Sequence, residues 1–336
     1  MKKKIKVLVT GIGSGVGQSI FKSLLLSKLK LDILIGDIDY LNIGLCQSKK
    51  YLRLPKVEEK GSLKKIIRIL IRKKIDVLFV GSEYDIVFFS KYKDYIKKKT
   101  GTIISLSSNK IITKFSDKFE MVNILKKNKI SYPKTFEFNM KNLKKSKIKF
   151  PLILKNKTGT SAREVFIVKN LKELKLRSQL LSKPIIQEYI GQMENNFQEF
   201  TCSFFKTKQL KTLGPFLGKR SLKFGTSWIF KNIKNNALNK LIIKISKLDE
   251  FEGSINVQLR FHKNKFIPFE INPRYSGTTI LRSLQGFNEP EMYIKNFLLN
   301  KKIINPKIKN KGIYFRLVDE RFTTKKKIKQ IIKNNF

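Results

Sequence analysis

Two short runs of this sequence end in side chains of the types, and at the spacing, that divalent-metal and phosphate chemistry requires. Gly253-Ser254-Ile255-Asn256-Val257-Gln258 and Phe269-Glu270-Ile271-Asn272-Pro273-Arg274 each read as a strand end, joined through the turn-forming His262-Lys263-Asn264. As neighbouring strands of a hairpin they place Gln258 beside Glu270. The two-residue strand period puts Glu270 and Asn272 on one face, with Arg274 continuing the alternation. Gln258, Glu270 and Asn272 then offer three hard oxygen donors to one point, a donor set suited to Mg2+ (or, alternatively, Mn2+) completed by water and phosphate oxygens. A guanidinium at Arg274 suits the charge of a transferring phosphoryl group. A polar strand end closing on an Asn-Pro turn would carry the same tripeptides, so each alone favours structure over chemistry.

Elements able to position such a site alternate along the chain. Residues 5–10, 32–36, 76–80 and 102–106 are short apolar strand runs, and 18–29 and 63–74 have helical spacing. This alternation predicts a parallel sheet with helices on both faces, an α/β unit. Its ligand-facing loops, at the strand C-terminal ends, are 11–17, Asp37 and Glu83. Beyond Ser116-Asp117-Lys118, where Ser116 or Asp117 reads as the N-cap of a helix running to about residue 127, the pattern changes. Strand runs at 151–155, 164–168, 185–189, 199–205, 253–260 and 266–271 predict an antiparallel α+β module. The expected division is 1–112, 113–190, 191–305 and a basic extension at 306–336, with 325–329 a solvated helix end.

Charge and composition narrow the function classes. Lys+Arg number 72 and Asp+Glu 25, a net charge of +47. Much of the lysine fits an AT-biased coding sequence, but that bias does not explain the scarcity of acids. The excess therefore leaves a preference for anionic partners without deciding their class, and its spread along the whole chain argues against nucleic acid. Two cysteines, Cys46 and Cys202, far apart and outside any Cys/His cluster, argue against a disulfide framework or structural zinc and for a reducing cytoplasm. Glycines interrupt the first apolar run too early for a signal peptide, and no apolar stretch reaches the ~18 residues of a membrane span. The glycine-rich 11–17 segment keeps an NAD(P)-dependent oxidoreductase or epimerase as the alternative, with Asp37 as ribose acid. Its G-x-G-x-x-G register fails, however: Val16 or Gln18 falls where the third glycine belongs. A tight strand-to-helix turn is the preferred reading.

Asn256-Val257-Gln258 with Glu270-Ile271-Asn272-Pro273-Arg274 resembles the metal-binding end of the ATP-grasp fold, closest to the carbamoyl-phosphate-synthase large-subunit-like branch and its stand-alone carboxylate–amine ligases. The resemblance spans roughly residues 5 to 300. It implies a Rossmann-like domain followed by a two-lobed ATP-grasp module, and a metal held against the triphosphate by Gln258, Glu270 and Asn272. Arg274 would stabilise phosphoryl transfer. In the same order, Lys118 and Lys155 resemble the phosphate-binding basic residues. Ser161 and Arg163 lie in the place of the phosphate-covering loop. Gln187, Glu188, Tyr189 and Ile190 resemble the purine hinge, and Glu199 the acid that takes the ribose hydroxyls. Departures are Asn156 after Lys155, where members often have proline, and a covering loop with Gly159 as its lone glycine. The implied chemistry is ATP-dependent: a small-molecule carboxylate becomes an acyl phosphate and an amine displaces phosphate. A homodimer is implied too. Non-catalytic nucleotide binding, or nucleic-acid binding motivated by the charge, is the third reading. The basic segment 219–227, read as a loop, and residues 275–279 are candidates to face the acid, and Glu83 and Asp85 to face the amine.

Overall fold

Short apolar runs rich in β-branched residues and bounded by glycine or aspartate become the buried strands of a parallel sheet. The computed structural model describes residues 4–39, 41–146, 148–159, 164–191, 199–223, 225–309, 312–317 and 322–333. In it, β1 (Ile5–Val9), β2 (Leu31–Asp37), β3 (Tyr51–Arg53), β4 (Val77–Phe79) and β5 (Ile103–Ile104) pair in parallel, in the order β3-β2-β1-β4-β5. This is the Rossmann-like unit the alternation predicts. Strand order reverses at β1, so the loops after β1, β2 and β4 open onto one crevice.

Two antiparallel sheets follow. β6 (Thr135–Glu137), β7 (Leu152–Asn156), β8 (Val165–Val168) and β9 (Pro184–Glu188) are ordered β6-β9-β7-β8. The larger sheet, in the order β14-β13-β10-β11-β12-β15, comprises β10 (Glu199–Lys206), β11 (Thr212–Lys223), β12 (Thr226–Asn232), β13 (Gly253–His262), β14 (Lys265–Asn272) and β15 (Ile313–Phe315). Residues 219–223 and 226–227 are thus strand rather than loop: Leu222 pairs with Ser227 and Lys223 with Thr226 across a hairpin. Their polar side chains face a cleft instead of a core, so no apolar run marks them in sequence. Within residues 306–336, Ile313–Phe315 returns to the large sheet as its sixth strand, against β12. Lys325–Lys333 is helical, and the run at 325–329 read as a helix end belongs to it.

Packing locks the parallel sheet to the large one. Alternation sends Leu8 to a core with Leu34, Leu78 and Ile66, and Val7 and Val9 to the opposite face. That second face meets Phe79, Tyr275, Tyr293, Phe216 and Phe230 in one continuous core. The Tyr275 hydroxyl shares a 2.8 Å hydrogen bond with Ser105 Oγ, and Tyr293 donates to Ile104 O at 2.9 Å. The segment directly after β14 is therefore anchored in the parallel sheet. Cys202, Phe204, Val257 and Ile271 fill the other face of the large sheet, under the helices Lys118–Lys127 and Asn236–Ile245. Among the described residues no helix is long and apolar enough to cross a membrane.

The glycines after β1 serve this packing. A Cβ at Gly17 would sit 2.2 Å from Gly11 O, and one at Gly81 2.3 Å from Thr10 O. Ser14 Oγ caps the following helix by accepting from Gly17 N at 2.9 Å and donates to Gly81 O at 2.7 Å. Asp37 Oδ2 accepts from Gly13 N at 2.8 Å. Asp37, the ribose acid of the oxidoreductase reading, thus binds the turn itself.

Candidate active site

The three sheets converge on a cleft of ≈ 610 Å³. β7 and β9 supply Lys155, Gln187 and Glu188 to its wall, and β10, β13 and β14 supply Glu199, Gln258 and Glu270. The N-terminal unit adds Ser14, Gly15 and Glu83. Gln258 and Glu270 are cross-strand partners, as the hairpin reading requires. The turn alone does not achieve this. Counting from His262↔Lys265 through Leu259↔Pro268 would set Gln258 against Phe269; an irregularity between Gln258 and Leu259 advances the register to Glu270. Pro268 has no N–H for the ladder, which is where a bulge costs least. Since a one-residue slip reverses the face, this bulge is what puts the Glu270 carboxylate on the Gln258 side.

Among the described residues, the Glu270 carboxylate has no hydrogen-bond or ion-pair partner, although Lys118 and Lys155 both lie within its field. Lys155 is 6% exposed and donates to Gln187 Oε1 at 2.8 Å, while Gln187 Nε2 donates to Thr135 Oγ1 at 2.8 Å. Burial pushes the Lys155 ammonium down to about 8, the charge of Lys118 adds to this, and Glu270 opposes it. Lys118 opens the helix Lys118–Lys127, capped by Asp117 through Phe119 N and Glu120 N; its Nζ donates to Gly159 O at 2.7 Å. Burial lowers its pKa too, with Glu270 the leading opposing charge. Arg274 donates to Tyr275 O at 2.9 Å and forms an ion pair with Glu83 of the N-terminal unit.

Other predicted positions fare differently. Glu199 is buried and held by two guanidinium groups: Arg220 Nε donates to its Oε1 at 3.0 Å, and Arg260 Nη2 stands 3.4 Å from its Oε2. Arg220 Nη2 also donates to Gln258 Oε1 at 2.9 Å. Neither arginine's position here was read from the sequence, although a lone buried acid between basic strands is a signal for both. The Ile190 carbonyl accepts from Arg260 Nη1 at 2.9 Å, and Glu188 Oε2 from Lys134 N at 3.2 Å. Tyr189 stacks beneath Arg260, 5.3 Å from ring centre to guanidinium carbon, and does not line the cleft. Asn272, opposite Asn256, is also not a lining residue, and its Nδ2 is buried without an acceptor. Ser161 and Arg163 lie outside the described residues.

Two hard oxygen donors of this cleft fit a divalent cation: the Glu270 carboxylate, uncommitted among the described residues, and beside it the Gln258 amide oxygen, which also accepts from Arg220. Asn272 stands two residues on from Glu270 but does not line the cleft.

A second cavity, ≈ 590 Å³, lies at the C-terminal ends of β1, β2 and β4 and shares Ser14, Ser82 and Tyr84 with the cleft. Its floor includes Leu8, Leu78 and Phe89, and its rim Asp37, Glu58 and Asp85. Burial first, then the neighbouring charges of Glu58 and Asp37, push the Asp85 carboxyl up to about 7, against a hydrogen bond with Ser82. The native state therefore keeps a proton that the unfolded chain releases near pH 4, and stability falls as pH rises between these values. Asp85→Asn is expected to leave the unfolding free energy unchanged near pH 4 and to raise it by about 1–3 kcal/mol at about pH 8, measured by urea denaturation at both.

Comparisons with known proteins bear on this arrangement. Residues 115–203 match the family model described as a RimK-like ATP-grasp domain. Residues 226–319 match one described as ATP-grasp in the biosynthetic pathway with Ter operon. A stretch of 88 residues is 35% identical to coenzyme gamma-F420-2:alpha-L-glutamate ligase of Methanocaldococcus jannaschii, covering 24% of this chain and 31% of that protein. This chain therefore matches about a third of that relative's length. Among solved structures, N5-carboxyaminoimidazole synthase from Aspergillus clavatus, in complex with ADP and 5-aminoimidazole ribonucleotide, superposes with a TM-score of 0.69 at 16% identity, over 93% of this chain and 81% of that one. L-amino acid ligase from Bacillus licheniformis gives a TM-score of 0.67 at 15% identity, over 88% and 74%. At these identities the superpositions establish a shared fold.

Proposed function

From the premise that this chain is an ATP-grasp protein, matched by two such models in succession, we propose that it is a ligase that spends ATP to join a carboxylate to an amine. One observation carries the reading: the Glu270 carboxylate, uncommitted among the described residues, set by a bulge against Gln258 and faced by Lys118 and Lys155 in a cleft between two antiparallel sheets.

In this reading the purine lies along residues 187–190 and the ribose hydroxyls meet Glu199. Lys118 and Lys155 spread the charge of the phosphates, and Ser161 and Arg163 belong to the segment that covers them. Glu270, Gln258 and Asn272 are the residues that would hold Mg2+ or Mn2+, which would supply charge neutralisation at the phosphates. Arg274, kept in place by Glu83, stabilises the phosphoryl group in flight. An oxygen of the substrate carboxylate attacks the terminal phosphorus and ADP leaves. The amine nitrogen then attacks the acyl carbon, phosphate leaves, and the nitrogen loses a proton. Chain groups position and neutralise throughout, and no protein nucleophile is required. The adjoining cavity, with its acidic rim, is the proposed approach of the amine. Relatives named as ligases of glutamate and of L-amino acids support an amino acid as one of the two substrates.

Thermal-shift titration tests this. ATP with Mg2+ at about 100 times its dissociation constant should stabilise the protein by about 2.7 kcal/mol, whereas NADH should not. A shift with NADH and none with ATP and Mg2+ would return the glycine-loop oxidoreductase reading.

A further inference from the structure

The proposed function leaves one basic group of the cleft without a task. Arg316 follows β15 directly, and its backbone N–H donates to Trp228 O at 2.8 Å, extending the pairing of β15 with β12. This strand carries the guanidinium back to the cleft wall, where Nη2 donates to Gly277 O at 2.7 Å. Its Nη1 lies near Gly15, 3.9 Å from where a Cβ on that glycine would stand. Arg316 therefore bridges the N-terminal glycine turn and the loop that follows Arg274.

Among the described residues its charge is uncompensated. Arg220, Arg260 and Arg274 each pair with a carboxylate, Glu199 or Glu83. Among the described residues Arg316 has no carboxylate within ion-pair distance, although it is half-buried. Burial lowers its pKa, and no acid is among the causes to oppose this. A partly desolvated guanidinium that meets no carboxylate among the described residues is incomplete until it meets an anion, and planar carboxylates match its fork. Beside it the cleft wall is formed by Ser14, Gly15, Ser276 and Thr278, all small, leaving room for such a group.

We propose that Arg316 binds a carboxylate of the acid substrate, at the end of the cleft between Gly15 and Gly277, and so selects for that acid rather than for the nucleotide. This rests on the ligase reading. It makes the returning C-terminal strand part of the substrate site, and it predicts that the acid enters the cleft from the end opposite the purine and extends from Arg316 to the terminal phosphate.

The test titrates wild type, Arg316→Met and Arg316→Lys with succinate and with L-glutamate, each with and without Mg2+ and the non-hydrolysable analogue AMP-PNP, by calorimetry. At least one acid should bind wild type. Arg316→Met should weaken that binding by about 10–100-fold and Arg316→Lys by less, with AMP-PNP affinity unchanged in both. The proposal is overturned if Arg316→Met binds the acid as wild type does, if it loses AMP-PNP affinity in parallel, or if neither acid binds wild type. Failure of AMP-PNP to bind wild type counts against the ATP reading instead, because the acid titrations without nucleotide still report on Arg316. Unfolding midpoints of the unliganded variants, expected to match wild type, separate lost binding from lost fold.

Discussion

Glu270→Gln is expected to lower ATP turnover by about 10²–10³-fold while leaving the fold intact. The substitution keeps the shape and one oxygen but removes the single carboxylate among the three proposed metal donors. In the folded chain that carboxylate has no hydrogen-bond or ion-pair partner among the described residues, so nothing is orphaned by its loss. Lys118 and Lys155 lose an opposing charge, which raises their mutual repulsion, yet no buried bond is broken. The unfolding free energy should accordingly change by no more than about 1 kcal/mol. Phosphate release with the acid and amine substrates reads the first effect, and urea denaturation the second. Turnover equal to wild type would remove Glu270 from the metal site. A collapse in stability would mean that the carboxylate serves the fold.

What made this site legible was local. The strand period and a turn at Lys263 and Asn264, both with positive φ, placed Gln258 near Glu270 from the sequence, and the alternation of short apolar runs with amphipathic helices gave the parallel sheet. Even here the register depended on a bulge beside Pro268 for which only the proline is a sign. Long-range partners were not legible. Glu83 and Arg274 are 191 residues apart, and nothing in either segment announces the other. Arg220 was read as a loop clamp because a strand with a polar, cleft-facing side has no apolar run. Arg316 was read as part of a basic extension because its function depends on β15 returning to the sheet. Tyr189 keeps its ring beneath Arg260, so within the hinge segment its backbone is what would face a nucleotide.

The largest expected effect on stability lies away from the reacting atoms, at a fully buried ion pair. Arg282 and Glu289 are both 0% exposed, and Arg282 Nε donates to Glu289 Oε2 at 2.7 Å. Ser203 and Ser254 each donate to Glu289 Oε1 at 2.6 Å. The remaining guanidinium donors reach Ser276, Thr278 and Thr279. Every charge is therefore met, which is the condition under which such a pair survives desolvation. Glu289→Ala leaves a guanidinium buried without a counter-charge and should cost about 3–5 kcal/mol, measured by urea denaturation. Glu289→Gln keeps the volume but not the charge, and should be nearly as costly. The double variant Arg282→Met with Glu289→Leu should recover much of the loss, because it removes both charges together. Recovery of stability need not restore binding. Ser276 and Thr278, which the guanidinium holds, line the cleft next to Arg316, so the double variant should fold and yet bind succinate or L-glutamate less tightly than wild type. A Glu289→Ala variant within about 1 kcal/mol of wild type would show that the buried pair contributes no net stability.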